Sequence, residues 1–91
     1  MSTDLKEQHA KWIDQLQPND PLDVFDLNEV VNSWVLSYII EITDNQIKVG
    51  YYGWSETYYE WIDKTDNKRL APINTYTVPF ILLKKTTKYN N

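Results

Sequence analysis

Cysteine is absent from this chain of 91 residues, histidine occurs once and glycine twice. Without thiols there is no disulfide framework, no thiolate zinc site and no cysteine nucleophile. A lone His9 supplies neither a histidine metal cluster nor a Ser-His-Asp triad. Gly50 and Gly53 are too few for a glycine-rich phosphate loop. No apolar run approaches the roughly 20 residues that span a bilayer, and the polar N-terminal stretch carries no apolar signal-peptide core. Basic charge is scarce as well. Nine Lys and Arg against thirteen Asp and Glu give a net charge of −4 and a pI near 4.7, which makes a nucleic-acid backbone a poor main partner. The length allows one small domain with a modest core, not two. No carboxylate pair sits in a recognisable acid–base arrangement. The expectation is therefore an intracellular, non-enzymatic protein with no cofactor, no metal and no membrane span.

What the chain has in excess is aromatic rings: four Trp, seven Tyr and two Phe, 14% of all residues. Rings beyond the needs of a core usually mark a recognition surface. Charge is also unevenly spread. Residues 1–30 carry seven acids, Asp4, Glu7, Asp14, Asp20, Asp23, Asp26 and Glu29, against Lys6 and Lys11, whereas residues 31–91 are close to neutral at +1.

Hydrophobic spacing divides the chain. Over residues 4–16, Leu5, Trp12, Ile13 and Leu16 fall on one helical face, with Asp4 and Glu7 at capping-box spacing. A helix this short is marginal alone, so its stripe, Trp12 included, is expected to dock on the rest of the domain, with His9 facing solvent. Pro18 and Pro21 end it. From Leu22 the period falls to two. Strands are expected at Leu22–Asp26, Trp34–Thr43, Ile47–Tyr51 and Tyr58–Ile62, with a short strand or 3₁₀ turn at Arg69–Pro72. Asp44-Asn45 reads as a hairpin turn and Gly53 as a second turn. In the long strand, Trp34, Leu36, Tyr38, Ile40 and Ile42 alternate with Val35, Ser37, Ile39 and Glu41. An extended piece over 74–83 and a disordered tail over 84–91 complete the chain. The reading is mainly β: a small SH3-like, five-stranded antiparallel barrel over 21–83, preceded by a helix and linker over 1–20.

The informative stretch runs from Tyr51 to Trp61, where six aromatics occupy eleven positions. Tyr51 at a strand end, Trp54 in the connecting loop and Tyr58 at the next strand can meet at one barrel mouth. Trp34 begins the long strand at the same end. Trp61 is expected inside, beside Leu36 and Val49. Converging ring faces suit a quaternary ammonium, which offers no hydrogen bond to grip; each ring contributes roughly 0.5–2 kcal/mol. A carboxylate at the rim, with Asp26 as candidate, favours lower methylation states by accepting from a remaining N–H. Plain core and rim packing explains the same rings, since Tyr and Trp suit half-buried strands. Tyr52, Tyr59, Tyr76, Phe80 and Tyr89 have no assigned role.

The pattern Val49-x-Tyr51-x-Gly53-Trp54-x-x-x-Tyr58-x-Glu60-Trp61-Ile62, followed by Arg69-Leu70-Ala71-Pro72, resembles the chromo barrel or Tudor-knot module across about residues 21–73. Tudor, MBT and PWWP barrels share parts of it. The resemblance implies a barrel that reads methylated lysine, mostly in histone tails, within nuclear chromatin-modifying complexes such as MYST acetyltransferase assemblies. Residue by residue, Tyr51, Trp54 and Tyr58 match cage positions, Trp34 matches the aromatic opening the second strand, and Asp26 matches a polar rim position. The family usually has Asp directly before Glu-Trp, where this chain has Tyr59.

The leading expectation is thus an aromatic cage of Trp34, Tyr51, Trp54 and Tyr58, rimmed by Asp26, for methylated lysine in a histone tail or other basic peptide. Two rivals stand beside it. One is a protein-interaction or scaffold barrel, for which the module's occurrence in ubiquitin-pathway enzymes is a precedent. The other is a nucleic-acid binder using aromatics and the Lys84–Lys88 tail.

Overall fold

The computed structural model describes residues 2–27 and 31–78. Helix α1 (Ser2–Gln15) precedes strands β1 (Pro21–Phe25), β2 (Trp34–Ile42), β3 (Gln46–Tyr51), β4 (Glu60–Asp63) and β5 (Leu70–Pro72), with one 3₁₀ turn at Glu56–Tyr58. The strands form a single antiparallel sheet in the order β4-β3-β2-β1-β5, curled into a half-barrel. This is the mainly β, SH3-like architecture that the period-two pattern predicts. The tail over 84–91 and the segment 79–83 lie outside the described residues.

The concave face holds the core. Leu22 and Val24 of β1, Ile39 of β2, Ile47 and Val49 of β3, Ile62 of β4 and Leu70 of β5 are fully buried or nearly so. Each such side chain contributes about 1.5–3 kcal/mol relative to exposure. The hairpin between β2 and β3 closes at Asp44-Asn45, where the Thr43 N–H donates to the Gln46 carbonyl at 2.9 Å.

Strand β2 departs from simple alternation. The pairing shifts between Ile39 and Glu41, so Ile39 and Ile40 together oppose Val49, the signature of a β-bulge. Val35, Ser37 and Ile39 face the core, and after the bulge Ile42 rejoins them instead of following Leu36 and Tyr38. The face assignment expected for β2 is corrected here: the extra residue changes the phase within one strand.

Helix α1 begins two residues before the expected Asp4 and docks on the core through its C-terminal end. Ile13 is buried, Trp12 and Leu16 pack against the core, and Leu5 is 69% exposed. His9 is not a free surface residue as expected. Its Nε2 donates to the Lys64 carbonyl at 2.7 Å and its ring meets Trp12 edge-on, tying the helix to the β4–β5 loop. No helix among the described residues is long and apolar enough to cross a membrane.

The two edges of the sheet differ. Ladder bonds alternate along an antiparallel strand. The Lys64 N–H donates to Asn45, so Ile62 and Glu60 bond to β3 while Trp61 and Asp63 turn their backbone groups outward. The Asp63 carbonyl accepts from Asp66 N–H. On β5, Leu70 N–H is taken by the Asp66 carbonyl, Pro72 has no N–H, and the Pro72 carbonyl accepts from Thr75. The β5 edge therefore presents no free N–H, whereas β4 presents those of Trp61 and Asp63, unpaired among the described residues.

Candidate functional site

At one end of the half-barrel the chain leaves β3 through a tight turn. Gly53 adopts φ +84°, a left-handed conformation that a side chain disfavours. The Trp54 N–H closes the turn on the Tyr51 carbonyl at 3.0 Å. Ser55 then caps the 3₁₀ turn, its Oγ accepting from the Thr57 N–H. Tyr58 belongs to this 3₁₀ turn, and β4 starts at Glu60, two residues later than the expected Tyr58.

These turns bring three of the expected rings together. Tyr51 and Trp54 lie 5.1 Å apart between centroids, and Trp54 meets Tyr58 at 5.2 Å with planes 85° apart. The three make a graded wall: Tyr51 is buried at 2% exposure, Trp54 is half-buried and Tyr58 is 48% exposed. Asp26 follows β1 on the concave side, next inward after Val24, with its backbone N–H on the Ser33 carbonyl. It is buried at 6% exposure, within electrostatic reach of the Tyr51 hydroxyl, and its Oδ2 has no hydrogen-bond partner among the described residues. A buried carboxylate oxygen without a donor is costly and calls for a partner.

Trp34 goes elsewhere. It pairs with Phe25, so its side chain stands on the convex face, opposite to Ser37 and Tyr51. There it stacks on Tyr76 at 4.2 Å and 20° and meets Phe25 edge-on at 5.5 Å. Trp61 also departs from its expected place in the core. Paired with Lys48, it lies on the convex face at 40% exposure, and Ile62 points inward instead. The Lys48 ammonium sits 5.9 Å from the Trp61 ring and 5.7 Å from Tyr59. Gly50 makes room for this convex cluster: a Cβ there would lie 2.6 Å from Tyr38 Cζ and 2.9 Å from Tyr59 Cε1. Tyr38 and Tyr59 share a hydrogen bond, and Tyr52 packs on Tyr38.

Behind the wall runs a polar chain that the sequence does not advertise. The Tyr51 hydroxyl donates to Glu60 Oε1. Arg69 grips the same carboxylate with both terminal nitrogens, at 2.7 and 3.2 Å, while its Nε donates to the Phe25 carbonyl at 2.9 Å. The pair links the ends of β4 and β5 across the open seam, in the two-pronged geometry that suits guanidinium and carboxylate. Burial alone would raise the Glu60 carboxyl, but the hydrogen bonds from Arg69 and Tyr51 outweigh it and hold the group below its usual range. Burial, followed by the bond to Glu60, pushes the Tyr51 phenol far above its ordinary range, so it stays protonated. Desolvation lowers Arg69, yet its contacts with Glu60 prevail and raise it.

A second carboxylate is buried on the opposite face of β1. Asp23, fully buried on β1, accepts from the backbone N–H of Asn74, Tyr76 and Thr77 and from the Thr77 hydroxyl, at 2.7 to 3.2 Å. It ties the strap 73–78 to the convex face and sets Tyr76 over Trp34. A cleft of about 510 Å³ between α1 and two turns, lined by His9, Ile13, Asp44 and Lys64 among others, shares no residue with the aromatic mouth. Among the described residues no group of three or more His, Asp and Glu could hold a metal ion.

The chain matches no family model, no curated protein and no solved structure. The half-barrel itself is consistent with an SH3-like or Tudor-like fold.

Proposed function

We propose that the protein is a non-enzymatic recognition module whose mouth holds the cationic side chain of a basic peptide, methylated lysine in the first instance. The observation that carries this reading is the contact of Trp54 with both Tyr51 and Tyr58 at the mouth, with buried Asp26 within electrostatic reach of Tyr51 and its Oδ2 unpartnered among the described residues. Ring faces attract an alkylated ammonium, and one free carboxylate oxygen accepts one N–H. That count suits dimethyl-lysine, with its single N–H, better than trimethyl-lysine, which has none, and better than monomethyl or free lysine, whose further N–H groups would lose water without replacement. Trp34 has no part in this pocket, which leaves three rings and a carboxylate rather than four rings. Affinity with so few contacts is expected in the micromolar to millimolar range. A histone tail within nuclear chromatin machinery is the partner that the sequence resemblance suggests.

A chemical-shift titration with unmodified, mono-, di- and trimethyl-lysine peptides tests the reading. Shifts confined to residues around Asp26, Trp54 and Tyr58, largest for the dimethyl peptide, are expected. Tyr58→Ala should abolish them with little loss of stability, because Tyr58 is exposed. Trp54→Ala should abolish them too, at a cost in stability from its contact with the core. Equal response to all four peptides, or none at these residues, would sink the proposal.

One observation favours the scaffold reading instead. Trp54 touches both Tyr51 and Tyr58, at centroid distances of 5.1 and 5.2 Å, forming a corner and not an open box. On that reading Tyr58 and Trp54 meet an apolar partner surface, and the methylated and unmodified peptides behave alike.

A further inference from the structure

We infer that an extended segment of the bound basic peptide adds as a sixth strand to the free edge of β4. This rests on the proposed reading of the mouth and concerns how the same partner's backbone is held. Among the described residues the sheet has two edges, and one of them presents unpaired N–H groups. The β5 edge is blunted by Pro72 and by the bonds that Asp66 and Thr75 make to it. The β4 edge offers Trp61 N–H and C=O and Asp63 N–H. An unpaired row of this kind is a template for another chain.

Position and charge select the occupant. Tyr58 lies three residues before Trp61, no more than about 11 Å of extended chain. A peptide residue exchanging both bonds with Trp61 thus leaves a lysine a few positions away within reach of the mouth. The exposed carboxylates of Glu56 and Asp63 flank this edge at either end, which suits a basic strand. Lys48 is already engaged over the rings of Tyr59 and Trp61 on the convex side, so it leaves the edge open to positive charge.

The test compares two probes by calorimetric or NMR titration: N-acetyl dimethyl-lysine methylamide, and a Lys/Arg-rich nonapeptide centred on dimethyl-lysine. The small probe reads the mouth alone. The nonapeptide is expected to bind about tenfold more tightly, the yield of two or three backbone hydrogen bonds, and to slow exchange of the Trp61 and Asp63 amides. Trp61→Pro removes the outward N–H together with the ring and no ladder bond, since Glu60 and Ile62 carry the ladder to β3. It should erase the tenfold gain and leave the small probe unaffected, whereas Trp61→Ala should keep the gain. On the unaltered protein, single N-methyl groups walked along the nonapeptide should weaken binding at alternate positions. This arm does not depend on whether the proline variant folds. If the small probe binds but the nonapeptide gains nothing, or N-methylation shows no alternation, strand addition is wrong and the mouth stands. If the small probe does not bind, the mouth reading falls and this proposal falls with it. Amide protection at Trp61 that rises with protein concentration without peptide would assign the edge to a second copy and overturn the proposal.

Discussion

Replacing Asp23 with alanine removes the acceptor on which the strap 73–78 depends. Asp23 receives three backbone N–H donors and the Thr77 hydroxyl, and hydrogen bonds to a charged group contribute about 1.5–3 kcal/mol each. Losing the carboxylate also relieves the cost of burying it, so the lower end of that range applies, about 6 kcal/mol for the set. Without it the strap detaches, and roughly 1 kcal/mol of backbone entropy returns for each residue from Asn74 to Thr77. The stack of Tyr76 on Trp34 goes with it, about 1 kcal/mol more. The net loss is about 3 kcal/mol, a third or more of the stability usual at this size. Melting followed by circular dichroism should fall by roughly 12–24 °C. Trp34 fluorescence should shift to the red, and the amides of Tyr76 and Thr77 should exchange freely. Asp23→Asn leaves acceptors for only part of the donor set and should fall between. A melting temperature within about 2 °C of the parent would refute the reasoning, because it would mean the strap is held by something other than Asp23.

Three further variants test other parts of the fold. Glu60 is held below its usual pKa of 4.5 in the fold, so its contribution is complete above that value and is lost as pH falls through the lower, folded value. Urea titrations from pH 6 to pH 2 should show Glu60→Gln flattening the acid limb by on the order of 1 kcal/mol, reduced by the partial exposure of the pair; a limb as steep as the parent's would refute the claim. Gly50→Ala should cost about 1–3 kcal/mol by overpacking and break the Tyr38–Tyr59 hydrogen bond. Gly53→Ala, with nothing within 4 Å of the added carbon, should cost about 1 kcal/mol through its positive φ alone; equal chevron or melt shifts would show that space at Gly50 does not matter.

Local pattern carried the strands because each needs only its own alternation and its own turn residues. Leu22 and Val24, Ile47 and Val49, and the Asp44-Asn45 turn fall where period two puts them. The pattern failed where one extra residue altered the phase, at Ile40, and where apolar residues stood on both faces. Trp34 and Trp61 illustrate the second case: both flank a curled sheet whose convex side is also aromatic, so period two cannot say which side is the core. At the mouth, proximity along the chain made Tyr51, Trp54 and Tyr58 legible as one group. Asp23, Glu60 and Arg69 were not, since their partners lie 9 to 54 residues away and a charged residue in sequence looks the same whether it is solvated or clamped.

The bulge in β2 separates two properties that are usually specified together. Remove Ile40 in thought, and Ile39 still opposes Val49, Glu41 still opposes Lys48, Ile42 still faces the core and Glu41 still faces water. Which side chains go inside would be unchanged. What would change is the bend of the strand, and with it the width of the seam that Arg69 and Glu60 span and the angle at which the mouth meets the β4 edge. A single residue thus acts as a shim: it adjusts the curvature of the whole sheet while leaving its hydrophobic code intact. Lengthening or shortening the chain at this one point would retune the aperture without redesigning the core.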